Sequence, residues 1–284
     1  MDRFSKFHPV VGFSFFIFII ILTVCIKNPV YLISSFLLSF IYNLKIAGKS
    51  TFTNLKYLAL LVLFAGVFNF IFCHYGSMVV FTAFDYDFTF ECFFYGILNG
   101  VMLSAVILWF SSYSRVITSE KFMALFGNFA PNLTLLFSMV LRFIPLMVKT
   151  SEDIKDSALG MGKEIKGVKN AITRFSALVS ISLEKSIETA DAMKSRGFGE
   201  KKRTSYNRFS FNYKDGLLLA LLICLFSLII ISQIIKINGF SCENGLVFSK
   251  TNYVFYILFF VMCAVPVIID AVEDLKWLYL KSKI

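Results

Sequence analysis

Six runs of apolar residues recur along the chain, at 10–25, 29–42, 57–73, 93–111, 216–235 and 253–271. A helix needs roughly 17–25 such residues to cross a hydrocarbon layer of about 30 Å. The pattern therefore predicts six membrane-spanning helices, the second of them the shortest. The first run follows Arg3 and Lys6, as in a signal peptide, but no small-residue cleavage site follows it and the next run begins almost at once. It reads as a retained first span.

Between the fourth and fifth runs the pattern changes. "APNLTLLFSMVLRFIPLMVKT" (130–150) is apolar but interrupted by Arg142 and Pro145, so an amphipathic helix at the membrane interface is expected, kinked or ended at Pro145. The next segment, 151–170, runs from acids to lysines, in the sense a helix dipole favours, and is softened by Gly160, Gly162 and Gly167. In 171–197, Phe175, Leu178, Val179, Ser182, Ile187, Ala190 and Met193 fall at three- and four-residue steps, predicting an apolar stripe that packs on the preceding helix. Glu184, Glu188 and Asp191 share a wet face, and Gly197 is placed to end the helix.

Charge supplies the orientation. Residues 112–215 hold 17 of the 28 Lys and Arg, leaving 11 elsewhere. The loop between spans three and four has no Lys or Arg but carries Asp85, Asp87 and Glu91. Because basic residues collect in cytoplasmic loops, the acidic loop is expected outside and the basic block inside. Both termini are then cytoplasmic, in a multi-pass protein of the cell membrane. The organisation expected is an N-terminal membrane part (1–113), a cytoplasmic coupling region (114–214) and a C-terminal membrane part (215–284). The fold class is an all-α integral membrane protein with about six transmembrane helices and a coupling region of amphipathic helices between spans four and five.

Composition agrees with the lipid bilayer as the chain's solvent: 57% of its 284 residues are hydrophobic and 16% charged, against about 45–50% and 25% in soluble domains. The net charge of +10 follows from the cytoplasmic block, so no nucleic-acid partner is inferred. The six cysteines are scattered without metal spacing, and His8 and His74 are the only histidines, so no metal or other cofactor is expected. No G-x-x-x-x-G-K-[ST] loop is present, which excludes ATP hydrolysis by that route. Among isolated polar residues, Asp270, Glu273 and Asp274 read as solvated interfacial charges, and Asn69 and Asn99 as helix–helix hydrogen-bonding groups. Gly96 and Gly100 read as a close-packing step between helices.

"LRFIPLM" (141–147), followed some fifty residues later by "ADAMKSRGFG" (190–199), resembles the transmembrane coupling subunit, or T component, of energy-coupling-factor (ECF) transporters, a family that includes permease subunits of cobalt and nickel importers. The resemblance also takes in the His8–Pro9 start and the multi-span architecture. It implies a non-catalytic scaffold joining two cytosolic ABC-type ATPase subunits to a small substrate-binding membrane subunit that captures a vitamin or metal ion. Ser195, Arg196 and Gly197 match the second of the family's two ATPase-docking motifs, with Arg142, Pro145, Ala190 and Met193 as supporting positions. The first motif falls on Gly160, Met161 and Gly162, where Met161 stands in place of the expected arginine. That helix is then expected to dock through packing and nearby Lys155 or Lys163, a departure that favours two different ATPases over two identical ones. The alternatives are a self-sufficient secondary transporter or channel, and a membrane enzyme acting on lipid. The spans lack the intramembrane charges or inverted repeats of the first and the converging catalytic groups of the second.

Overall fold

A computed structural model describes residues 4–48, 50–73, 79–83, 86–127, 130–162, 167–199, 209, 211–235, 240–241, 247–248 and 253–281. After a 3₁₀ turn, Phe4–Lys6, nine α-helices are described: α1 (Pro9–Cys25), α2 (Pro29–Ala47), α3 (Ser50–Phe72), α4 (Phe90–Val116), α5 (Ser119–Phe126), α6 (Pro131–Gly160), α7 (Val168–Ser195), α8 (Tyr213–Ile234) and α9 (Tyr253–Lys281). Two short antiparallel hairpins join α3 to α4, through β1 (Val79–Ala83) and β2 (Tyr86–Thr89), and α8 to α9, through β3 (Phe240–Ser241) and β4 (Val247–Phe248).

Six of these helices are long and apolar enough to cross a membrane: α2, α3, α4, α6, α8 and α9. They are not quite the six runs predicted. The helix of the first run, α1, has 17 residues and is about 25 Å long at 1.5 Å per residue, whereas α6 qualifies by length and composition. Pro145 does not end α6, which continues to Gly160. Proline removes one backbone donor, and the fourteen residues on one side and fifteen on the other carry the helix past that gap.

Helix starts are set locally. Proline occupies the first turn of α1, α2 and α6, where its missing N–H would have had no partner anyway. The His8 Nδ1 accepts from the Val10 N–H at 3.3 Å, and the Asn28 side chain accepts from the Val30 N–H at 3.1 Å, capping α1 and α2.

The chain divides into two compact units, one formed by Met1–Phe122 with Phe209–Ile284 and the other by Met123–Arg208. In the first, α4 packs against α1, α2 and α3; α2 also meets α9, and α8 lies against α1 and α9. The core is aromatic: the fully buried Trp109 lies 5.9 Å from Phe15 and 6.2 Å from Tyr42, ring to ring. Its indole N–H donates to the Ser35 Oγ at 3.0 Å, and Ser35 in turn meets Thr23 Oγ1 at 3.0 Å. A second polar knot joins three helices. The Asn43 amide donates to the Leu108 carbonyl and the Ser112 Oγ, both at 3.2 Å, and accepts from the Thr51 hydroxyl at 3.0 Å. In a water-free interior these groups satisfy one another, which fixes helix rotation.

Gly96 and Gly100 form the close seam expected of them. Gly96 faces Ala65, Gly66 and Asn69, and Gly100 faces Val62 and Ala65, so α4 rides directly on the backbone of α3. Asn69, by contrast, does not make the expected hydrogen bond through its amide oxygen, which is buried with no partner among the described residues. The outer surface of the bundle is apolar, with Leu60, Leu63 and Phe64 each at least 60% exposed on α3; in water such a face would aggregate, and in lipid it is solvated.

The bundle has two polar ends. At one, α1, α3 and α8 begin while α2, α4 and α9 run out. Here Asp270 is 1% exposed, accepts from the Phe4 N–H at 3.3 Å and lies 3.6 Å from the Lys45 ammonium. Lys45 also reaches Asp274 at 2.8 Å. Asp270 is thus a buried, paired carboxylate rather than the solvated charge expected from its place after an apolar run; the side chain of Glu273 lies outside the described residues. At the opposite end, the Asn28 amide donates to the Tyr256 hydroxyl at 3.0 Å and the Lys27 ammonium to the Tyr95 hydroxyl at 2.9 Å.

Candidate docking site

The second unit is built on α6 and α7, which pack against each other in antiparallel sense. Neither has a buried residue. The face of α7 toward α6 comprises Arg174, Ala177, Ile181, Ser182, Thr189 and Met193, with the Ser182 hydroxyl donating to the Met147 sulfur at 2.8 Å. This corrects the predicted stripe. Ser182 and Met193 do face α6, but Phe175 (67% exposed), Val179 and Ile187 (65%) remain on the open surface.

Ser195 is the last residue of α7, Arg196 is its C-cap and Gly197 follows at φ 76°. The Phe198 N–H donates to the Met193 carbonyl at 3.1 Å and the Gly197 N–H to the Lys194 carbonyl at 2.9 Å. This pair of bonds is the Schellman arrangement, which needs the left-handed backbone that glycine supplies without strain. It closes the helix abruptly and leaves Arg196 exposed at the turn.

The end of α6 repeats the geometry. Met161 caps it at φ −85°, ψ 7°, against −90° and 9° for Arg196. Gly162 follows at φ 67°, and its N–H donates to the Leu159 carbonyl at 2.9 Å. Gly160–Met161–Gly162 and Ser195–Arg196–Gly197 are therefore helix ends of matching backbone that differ at the first residue and at the central side chain. Met161 is 65% exposed, so the missing charge is not replaced by burial. Lys155 sits six residues before this cap, while Lys163 lies outside the described residues, as does Asp85 of the acidic loop.

Two grooves run between the helices. One, of about 540 Å³, is lined by Leu135, Ser138, Met139, Arg142, Glu188, Thr189, Ala192, Met193 and Arg196. It brings together two residues the sequence places 54 apart, Arg142 of the "RFIP" segment and Arg196 of the "SRG" segment. Pro145, one turn further along α6, and Ala190, on the exposed side of α7, do not line it. The lining holds two guanidiniums, Arg142 and Arg196, and one carboxylate, Glu188, so the groove keeps a net positive charge. The other groove, of about 410 Å³, contains Ile154, Ala158, Met161, Ala177 and Ile181, with Asp153, Asn170 and Arg174 at its polar positions. That one groove is lined by both Arg142 and Arg196 was not predicted, because the sequence shows no register between the two segments.

Among the described residues no group of three or more His, Cys, Asp or Glu is placed to hold a metal ion. No known family model matches the chain, and no curated protein matches it.

Proposed function

We propose that this protein is the membrane scaffold of an ECF-type importer, a T component that couples ATP hydrolysis by two cytosolic ABC-type ATPases to uptake through a separate substrate-binding membrane subunit. The observation that carries the reading is the end of α7. An arginine is held at an abrupt, exposed helix terminus by a glycine-dependent cap, on a groove whose lining also includes an arginine of the other helix. A dipole complement alone would need neither the cap nor the second arginine. The arrangement suits insertion into an acidic groove, where guanidinium makes paired hydrogen bonds that an ammonium cannot.

The path of the chain supports placing residues 123–208 on one side of the membrane. α4 ends and α8 begins at the same end of the bundle, where Lys121 meets Ser5 and Asp215 meets His8. The segment between them therefore departs and returns on one side. A crossing by α6 would require a return crossing, and α7 carries Lys169, Arg174, Glu184, Lys185, Glu188 and Asp191, too many charges for the hydrocarbon layer. With the basic excess in this segment, the positive-inside rule makes that side the cytoplasm.

The test is co-purification from native membranes. The chain should bring down two ABC-type ATPase subunits, and Arg196→Ala should weaken that association and stop uptake while membrane insertion is unchanged. Arg196→Lys should fail to restore it. A complex without any ABC-type ATPase, or an Arg196→Ala chain that binds and transports normally, overturns the proposal.

A further inference from the structure

Residues 4–8 touch both places at which the chain leaves the bundle for residues 123–208 and comes back to it. On the outgoing side, Lys121 is 9% exposed, and its ammonium donates to the carbonyl and the hydroxyl of Ser5 and to the Val116 carbonyl at 2.8 Å. These acceptors meet the ammonium's N–H donors, so its burial does not leave the group unsatisfied. On the returning side, the His8 N–H donates to the Asp215 Oδ1 at 3.4 Å, and the His8 ring stands edge-on to Phe211 at 5.2 Å. Asp215 is itself buried and accepts from the Asn212 N–H at 3.0 Å, so the same carboxylate starts α8 and ties it to α1.

Between these two contacts, Phe4 is buried and packs edge-on against Phe15 at 5.2 Å and Phe16 at 6.3 Å. Its N–H donates to Asp270, which is paired with Lys45. Five consecutive residues thus connect α5, α8 and α9 to the start of α1, and through Asp270 they reach α2. Without them, Lys121 would lose two of its acceptors and Asp215 the N–H of His8.

We propose that residues 4–8 form a clasp that holds the two junctions of residues 123–208 in register, so that a displacement arriving along that segment moves α1 and α9 instead of being absorbed by bending at the junctions. The existence of the clasp is independent of the functional reading, whereas its role in transmission rests on that reading. A packed junction transmits because it has discrete arrangements, and a loose one dissipates the same movement.

Hydrogen exchange on the full-length chain in lipid nanodiscs tests the clasp itself. Lys121→Met keeps the aliphatic stem and removes the donor. It should speed backbone exchange roughly tenfold at residues 117–122 and also at 211–216, on the other junction. Lys121→Arg should restore slow exchange at both. Should Lys121→Met fail to fold, Phe4→Ala gives the same comparison from the other side of the clasp. A change confined to 117–122, or none, overturns the proposal. In the complex with its ATPases, Lys121→Met should leave ATPase association and ATP hydrolysis within about twofold while uptake falls about tenfold or more. Equal loss of hydrolysis and uptake overturns the transmission role and leaves the functional reading standing. Absence of ABC-type ATPases overturns that reading, and with it the transmission role, while the exchange result still decides the clasp.

Discussion

Replacing Gly96 by alanine should push α3 away from the bundle. A Cβ at this position would lie 2.6 Å from the Asn69 Cβ, 2.8 Å from the Ala65 carbonyl oxygen and 2.9 Å from the Gly66 Cα. Two of these three atoms belong to the backbone, so no rotamer change relieves the overlap, and normal carbon contacts of about 3.5 Å require the helices to part by up to roughly 0.9 Å. α3 has little else to hold it, since Thr51, Leu58 and Gly66 are its buried residues. A gap of 0.5–1 Å forfeits about a quarter to a half of each dispersion contact along the seam. Alanine is intrinsically better in a helix by about 0.8–1 kcal/mol, which offsets part of this loss. The net cost expected is about 1–3 kcal/mol, as for other over-packed interiors. Reversible unfolding in mixed micelles would measure it, with Gly160→Ala as the comparison, because a Cβ at 160 meets nothing within 4 Å. Equal stability of Gly96→Ala and wild type would refute the argument that the glycine seam sets the α3–α4 distance.

Asn43→Leu should cost about 1–3 kcal/mol in the same assay, because it leaves the buried Ser112 and Thr51 hydroxyls without the amide that joins α2, α3 and α4; an unchanged midpoint would show the knot to be dispensable. Cys73 lies just beyond the end of α3, where burial, and then the neighbouring Cys92, push its thiol above the ordinary value. Because the thiolate is the nucleophile, maleimide labelling of Cys73 should be slow near neutral pH and rise as pH passes above the usual thiol range. A rate near pH 7 equal to that of a free peptide thiol would contradict this. Met161→Arg places a guanidinium on a cap with the backbone conformation of Arg196. In the Arg196→Ala background it should recover part of the ATPase retention in pull-downs, and no recovery would show that the two caps do not present their side chains to equivalent grooves.

What could be read from the chain before its structure was largely local. Pro9, Pro29 and Pro131 mark helix starts, and Gly197 marks a stop, because each acts through the φ angle or donor of its own residue. The apolar runs located all six helices of the bundle but missed several of their ends. The second run ends at 42, whereas α2 continues to Ala47, and α3 starts at Ser50 rather than 57. The added turns are polar, and they are helical because Lys45 finds Asp274, 229 residues later, and Thr51 finds Asn43. Neither partnership leaves a trace in a hydropathy pattern. The same holds for Asp270, which looks solvated by its neighbours in sequence and is buried by Phe4 and Lys45.

α1 and α6 expose why hydropathy alone ranks these helices badly. Transfer to lipid rewards length and apolar content, and α6 satisfies both over its first half while burying no residue. α1 falls short in length, yet Val11, Phe15, Phe16 and Ile19 on it are fully buried. A helix enclosed by α4 and α8 does not have to match the hydrocarbon thickness by itself, since its neighbours meet the lipid in its place. The Phe4–Lys6 turn extends the path at its polar end, and the capped Asn28 starts α2 almost immediately at the other. The short helix at the centre is thus tied at both ends by side chains. At one of those ends the residues that tie it are the ones holding Lys121 and Asp215, so shortening α1 and fastening the two junctions are consequences of the same five residues.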